Sequence, residues 1–429
     1  MKKKLIFCIC ILLSIIMGLS TLPFSAYVYE CPVEITSASV MLVNVNTDTV
    51  VYEKNANTAH FISYLSNLMT FIVACDNTND FEEKVKITDE LLYSIPNSDN
   101  SLELYRGKTL TVKDLLIFVM ATNGNDACYA LADHITGGNR DAFVDMMNKK
   151  AKDLGCTKTK FSSVAARNDT THFSNCEDLY RILKYALSIP QYSEIASIYM
   201  YQPEGYEGDE HIIYTTNSIL KKGSPYYYKH VKNGKYGVDS IAKGNIIAVS
   251  EYANVSYACI ILGAQQLSEH NAFTETKQLL NWSYTTLGSK EIISESTVID
   301  IVTAQAPWGT VEIELTSGKD IEKVVPAKYN ADLLTFEFTS DDVSLPVFIG
   351  QNMGTAQVYY DGKLFDEIDV VSNSSRGVSM LSDISGFIGS MFDKTIIQTQ
   401  ESETTEPTAL STQNPDNPKE KETKTTQAE

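Results

Sequence analysis

Tyr52-Glu53-Lys54-Asn55-Ala56-Asn57 is followed after one short loop by Ser63-Tyr64-Leu65-Ser66-Asn67-Leu68-Met69-Thr70, a passage from extended chain into helix. Before it, Val40-Met41-Leu42-Val43-Asn44-Val45 and Thr47-Asp48-Thr49-Val50-Val51-Tyr52 are β-branched runs around a polar turn, which read as two strands. Within and after it, apolar residues recur at three- and four-residue spacing over 64–75, the mark of a helix with one buried face. The same spacing predicts helices over 112–121, 125–135, 141–154 and 176–188. Strands return at 244–250 and 256–263, and a last helix carries Phe273, Leu279, Leu280, Trp282 and Tyr284. Strands at both ends of a helical middle predict an α/β domain over 30–287, its sheet closed by the two ends of the segment.

Outward from that domain the pattern changes. Residues 293–372 alternate in strands separated by Gly and Asp turns, as in Thr297–Val302, Thr310–Leu315 and Ala356–Tyr360, and read as a small all-β module. Residues 1–26 read as an export signal: Lys2, Lys3 and Lys4 precede an apolar run from Leu5 to Leu19. That run is shorter than the ~20 residues a membrane span needs, which favours a cleaved signal over an uncleaved anchor. In either form the chain is placed outside the cytoplasm. Met380, Leu381, Ile384, Phe387, Ile388, Met391 and Phe392 fall at helical spacing within 377–397. That helix either lies at a membrane surface as a peripheral contact or folds back on the β module. Residues 398–429 hold almost nothing to bury and read as a disordered tail.

Composition removes several functions. The 429 residues are 43% apolar and 21% charged, an ordinary globular balance. A formal net charge of −19 argues against nucleic acid, which needs a basic face. Outside the apolar run, Cys31, Cys75, Cys128, Cys156, Cys176 and Cys259 are scattered with no C-x-x-C pair, and the six His are isolated. There is no H-E-x-x-H helix, no G-x-S-x-G elbow and no phosphate-binding Gly loop, so neither a metal nor a cofactor is expected.

A series of matches, in order along the chain, then carries a resemblance. After the opening stretch come Leu110-Thr111-Val112-Lys113-Asp114-Leu115-Leu116, Asn125-Asp126-Ala127, Met147-Asn148, Leu154-Gly155 and Thr216-Asn217, with Asp361-Gly362-Lys363 in the β module. Residues 36–372 thus resemble the D-alanyl-D-alanine carboxypeptidases, the low-molecular-mass penicillin-binding proteins. The resemblance implies a β-lactamase/transpeptidase-like fold, an antiparallel sheet with a helical subdomain, followed by the small β domain. It also implies serine-peptidase chemistry on peptidoglycan stem peptides, built on S-x-x-K, S-x-N and K-T-G motifs. In such a site the Lys one turn after the Ser takes its proton, the S-x-N loop holds the peptide, and the K-T-G strand meets the substrate carboxylate.

All three motifs depart from that pattern here. Aligned without gaps, the first reads Tyr64-Leu65-Ser66-Asn67, placing Tyr64 at the nucleophile and Asn67 at the base. A phenol of pKa ~10 needs an activating base, and an amide is not one. A register slipped by one residue offers Ser63 as nucleophile, but its i+3 partner is then Ser66, and Lys54 lies on the preceding turn. The second motif reads Asn123-Gly124-Asn125, with Asn123 in place of the Ser hydroxyl. The third is Lys235-Tyr236-Gly237, with Tyr236 replacing the carboxylate-binding Thr; Lys232-Asn233-Gly234 is the alternative placement. The resemblance makes Asn125, Lys235, Tyr236 and Gly237 the substrate-binding positions.

Blander readings stand beside these. Asn125 reads equally as an N-cap for the helix that follows, Lys235 as a solvated strand residue, and Tyr64 with Tyr236 as a ring plug filling the cleft. The usual family element near the site has become Ser163-Val164-Ala165-Ala166-Arg167 ahead of Asp169-Thr170-Thr171-His172. The sequence therefore points to an exported, catalytically degenerate relative that binds a stem peptide or a cell-wall protein. The rivals are a divergent active peptidase and a purely structural wall protein.

Overall fold

The computed structural model describes residues 27, 29–95, 105–166, 170–208, 211–265, 271–339 and 343–378. The expected export signal over 1–26, the expected helix beyond Val378, the expected tail over 398–429, Arg167 and Asp169 lie outside the described residues.

The main sheet contains β1 (Ser39–Asn44), β2 (Thr49–Lys54), β3 (Val231–Asp239), β4 (Lys243–Tyr252) and β5 (Val255–Ala264). Its order is β2-β1-β5-β4-β3, antiparallel throughout, with Leu42 opposite Cys259 and Ala248 opposite the same Cys259 on the other side. The two ends of the segment thus close the sheet as the strand pattern predicted, and β3 is left at an edge. Side chains alternate across the sheet. Met41, Val43, Ile247, Val249, Ala258, Ile260 and Leu262 join the core under the helical region. Val40, Leu42, Ile246, Ala248, Cys259 and Ile261 join a second core under Phe273, Leu279, Leu280 and Trp282. Burial on both faces is why β1 and β4 read as nearly continuous apolar runs.

The helices are α1 (Asn67–Asp76), α2 (Asp89–Ser94), α3 (Val112–Ala121), α4 (Asn125–Thr136), α5 (Arg140–Asp153), α6 (Cys176–Ser188), α7 (Pro190–Ala196) and α8 (Asn271–Thr286). A 3-10 turn, Ser63–Ser66, runs directly into α1. Local chemistry fixes the ends. Thr111 and Asp114 form a reciprocal capping box at the start of α3. Asn139 and Asn175 cap α5 and α6, and Gly137 ends α4 in the left-handed region at φ 63°. The helices α2 and α7, six and seven residues long, are too short for periodicity to reveal.

Two compact units are present. The first comprises the described residues up to Ser294 with Lys319–Glu337 and Gln357–Glu367. Besides the main sheet it holds a separate antiparallel pair, β6 (Leu287–Ile293) and β9 (Ile321–Pro326). The second comprises Glu295–Gly318, Phe338–Ala356 and the described residues from Ile368. It holds the hairpin β7 (Val298–Ala306) and β8 (Gly309–Thr316), with Leu315 and Thr316 paired to Ser372 and Val371. Among the described residues no helix is long and apolar enough to cross a membrane, and no group of His, Cys, Asp and Glu is arranged to hold a metal ion.

Candidate functional site

The edge strand β3 and the 3-10 turn bring the first and third motifs together. In β3, Lys235, Tyr236 and Gly237 lie opposite Ile247, Ile246 and Asn245. Gly237 has the backbone of Tyr64 directly on it: a Cβ at 237 would stand 2.7 Å from Tyr64 Cβ and 3.1 Å from Tyr64 N. Only glycine permits that approach, so the family register for the third motif and the gap-free register for the first meet in space. Gly234, the corresponding glycine of the alternative placement, instead faces the neighbouring strand, where a Cβ would lie 2.2 Å from the Ile247 carbonyl oxygen.

Lys235 is fully buried. Its Nζ donates to the Val119 and Met120 carbonyls at 2.5 and 3.0 Å, at the last turn of α3. Those carbonyls are among the groups a helix end leaves unpaired, and the helix dipole favours a cation there. Burial nevertheless pushes the amine down from 10.5 to about 7, with the nearby Cys128 acting weakly the other way. Lys235 is therefore not the solvated strand residue of the blander reading. Lys232, the lysine of the alternative motif, is exposed.

The remaining motif side chains are held in structural bonds. Asn67 Oδ1 accepts from the Ala166 N–H at 2.9 Å, and Asn125 Nδ2 donates to the Ala166 carbonyl at 3.2 Å. The two amides hold one residue of the 162–166 loop, Ala166, by its N–H and its carbonyl, while Thr70 Oγ1 donates to the Val164 carbonyl at 2.6 Å. Asn123, at a left-handed φ of 60°, donates through Nδ2 to the Tyr236 carbonyl at 3.0 Å and to Thr216 Oγ1 at 3.1 Å. It thereby ties the loop before α4 to the edge strand.

Several expectations are corrected. Asn125 is not the N-cap of α4: Gly124 occupies that position, and the Asn125 side chain crosses to Ala166 instead. Tyr236 does not form a plug with Tyr64. Strand alternation turns its ring to the opposite face of the sheet from Lys235 and Gly237, where it packs on Phe273 of α8 with centroids 4.4 Å apart. Only its backbone carbonyl reaches the cleft side. Tyr64 itself is half-buried at the 3-10 turn. Lys54, on the turn before the first motif, is engaged elsewhere: its Nζ donates to the Ile35 and Ser37 carbonyls.

Ser63 is 3% exposed with φ 47°, and its Oγ has no hydrogen-bond partner among the described residues. Its i+3 neighbour supplies no base, since Ser66 Oγ donates to the Ser63 carbonyl at 2.9 Å. Asn67 Nδ2, Asn123 Oδ1 and Asn125 Oδ1 are likewise buried and unpartnered among the described residues. The site thus retains unused hydrogen-bonding atoms of both polarities among the described residues, and the residue at the base position is an amide, which is not a base. Sequence reasoning missed Ala166 and Thr216 as partners of the motif residues. A backbone peptide carries no sequence signal, and Thr216 lies 93 residues from Asn123.

Comparison with known proteins gives a consistent result. A profile of the family described as D-alanyl-D-alanine carboxypeptidase matches residues 26–266. The D-alanyl-D-alanine carboxypeptidase DacF of Bacillus subtilis is 24% identical over 338 residues, covering 78% of this chain and 84% of that protein. The D-alanyl-D-alanine carboxypeptidase DacC of Escherichia coli is 25% identical over 392 residues, covering 86% and 90%. Among solved structures, penicillin binding protein 5 from Haemophilus influenzae superposes with a TM-score of 0.65 at 20% identity, covering 80% of this chain and 98% of that one. That likeness bears on the fold, which is the one the family resemblance implied.

Proposed function

The chain belongs to the D-alanyl-D-alanine carboxypeptidase family, and from that premise we propose that it is an exported, non-hydrolytic member that binds a cell-wall stem peptide or a wall protein. One observation carries the reading: the positions for nucleophile and base hold a phenol and an amide, and the amide is spent on the Ala166 peptide. General base catalysis needs a group that can take the nucleophile's proton, within about 3 Å of it. Asn67 has no such capacity, and Ser66, the i+3 neighbour of Ser63, donates its hydroxyl to the Ser63 carbonyl. Ser63, Asn67, Asn123 and Asn125 keep buried polar atoms with no partner among the described residues, which a peptide backbone meets only where the site opens to it. The proposal keeps the plan of a carboxypeptidase-like domain over 30–287, a β domain over 293–372 and an export signal over 1–26.

A rival reading draws support from Ser63. Its left-handed backbone and unpartnered hydroxyl are features that gather at functional sites. Incubation of the purified chain with a fluorescent penicillin, read by intact mass, separates the two. The non-hydrolytic reading expects no covalent adduct. A stoichiometric adduct that Ser63→Ala abolishes would establish the rival.

A further inference from the structure

The stretch 211–238 differs in charge from the rest of the chain. It contains Lys221, Lys222, Lys229, Lys232 and Lys235 and no Asp or Glu, within a protein of net charge −19. Lys235 is buried at the cleft, and the other four lysines are exposed. The same stretch carries Tyr226-Tyr227-Tyr228 ahead of Lys229 and His230, a run that the carboxypeptidase-like site does not use.

The fold brings Tyr228, Lys229, His230 and Lys232 to one end of the main sheet. There β4 turns into β5 through Ala253 and Asn254, both left-handed at φ 51° and 64°. This tight two-residue turn matches the twist of the strands, at the cost of holding an alanine in a conformation that glycine or asparagine prefers. It presents Tyr252, which is 51% exposed. The His230 ring packs on Tyr252 with centroids 4.4 Å apart, on Tyr228 at 5.4 Å and on Tyr284 at 5.9 Å.

Polar tips hold the rings in place. Tyr228 donates to Asn281 Oδ1 at 2.8 Å, Tyr284 OH pairs with Ser250 Oγ at 2.9 Å, and the Glu251 N–H donates to the His230 carbonyl at 2.8 Å. Partial burial of the His230 ring, with Lys229 and Lys232 acting in the same direction, lowers its pKa below the usual value. Two exposed cations therefore flank a set of pre-positioned rings, and Glu251 is the carboxylate beside them.

Rings with a flat apolar face and a polar rim bind ligands that share that two-sided character. Exposed lysines on an otherwise acidic protein select the ligand's sign, because an anion is repelled by most of the remaining surface. A sugar ring bearing a carboxylate or phosphate meets both conditions. A nucleic acid strand concentrates far more negative charge, which net −19 opposes.

We propose that the face formed by Tyr228, Lys229, His230, Lys232 and Tyr252 is a docking surface for an anionic, sugar-containing polymer. Lys232 precedes Lys235 by three residues on β3, roughly 10 Å along the strand. The polymer therefore lies beside the cleft without entering it, and docking requires nothing of Tyr64.

The test measures binding of the full chain to a hyaluronate oligomer as a carboxylate-bearing probe, with neutral chitohexaose and an oligodeoxythymidylate of matching length alongside. At about 50 mM salt the hyaluronate oligomer should bind roughly tenfold or more tightly than chitohexaose, and weaken by a similar factor at about 300 mM. Lys229→Glu with Lys232→Glu should cost roughly tenfold or more, and Tyr252→Ala about threefold. These positions are exposed, so circular dichroism should report unchanged folding. Affinity indifferent to both variants, or oligodeoxythymidylate binding more tightly than the sugar, would overturn the proposal.

Discussion

Replacing Gly237 by alanine tests the contact that brings the first and third motifs together. The new Cβ would stand 2.7 Å from Tyr64 Cβ, 3.1 Å from Tyr64 N and 3.2 Å from Tyr64 Cα. Carbon atoms pack at about 3.5–4.0 Å, so the closest approach falls short by roughly 1 Å. Two of the three atoms belong to the backbone of the 3-10 turn and cannot swing aside as a side-chain tip would. Either the turn lifts from β3 or the strand twists away. Overpacking of this kind costs typically ~1–3 kcal/mol, and with backbone on both sides the upper half of that range is expected. For a domain of this size each kcal/mol lowers the melting temperature by roughly 2–4 °C, so Gly237→Ala should melt about 4–12 °C below the parent. A double-mutant cycle sharpens the test. Tyr64→Gly removes the nearest atom and should recover about 1 kcal/mol in the Gly237→Ala background. Tyr64→Ala keeps the Cβ and should recover none. A Gly237→Ala protein that melts with the parent, or a cycle in which Tyr64→Gly and Tyr64→Ala behave alike, refutes the placement of Tyr64 against the strand.

Other outcomes follow from the same geometry. The Lys235 amine sits at about 7 in the folded chain and near 10.4 when unfolded. The unfolded chain therefore binds more protons between these values, and stability should rise as pH is raised from about 7 toward 10. Denaturant midpoints should show the rise in the parent and its loss in Lys235→Met; a parallel pH profile in the variant would count against the buried amine. Asn123→Ala removes donors to Tyr236 and Thr216 and should cost about 1–2 kcal/mol by chemical denaturation, whereas no change would show that the tie is not formed. Tyr64→Ser alone should gain no penicillin adduct by intact mass, since Asn67 still cannot take the proton. An adduct with that single change would mean another base is in place.

The sequence was most informative where local pattern and local energy agree. Helical spacing located α3, α4 and α6 almost to the residue, and Thr111 with Asp114 marks the start of α3 as a capping box. The strands β1, β4 and β5 were legible as apolar runs. The site was legible only as a list of positions. Which way Tyr236 faces depends on its register in β3, and a one-residue shift would exchange the faces of Lys235 and Tyr236. The burial of Lys235 depends on carbonyls at Val119 and Met120, 116 and 115 residues away in the chain. Asn125 looked like a cap because asparagine before a helix usually is one; the pull of the Ala166 carbonyl is tertiary and leaves no local trace. By contrast, the acid-free, tyrosine-rich stretch over 211–238 was open to reading in composition alone, and acquired meaning only when the Ala253-Asn254 turn placed Tyr252 beside it.

The most direct measurement is release of D-alanine from a D-Ala-D-Ala-terminated pentapeptide by the purified chain, followed by a coupled assay or by mass spectrometry over hours. Release indistinguishable from the enzyme-free blank is the predicted result. Turnover within the ordinary enzymatic range of about 1 s⁻¹ or faster, abolished by Ser63→Ala or Tyr64→Phe, would contradict it.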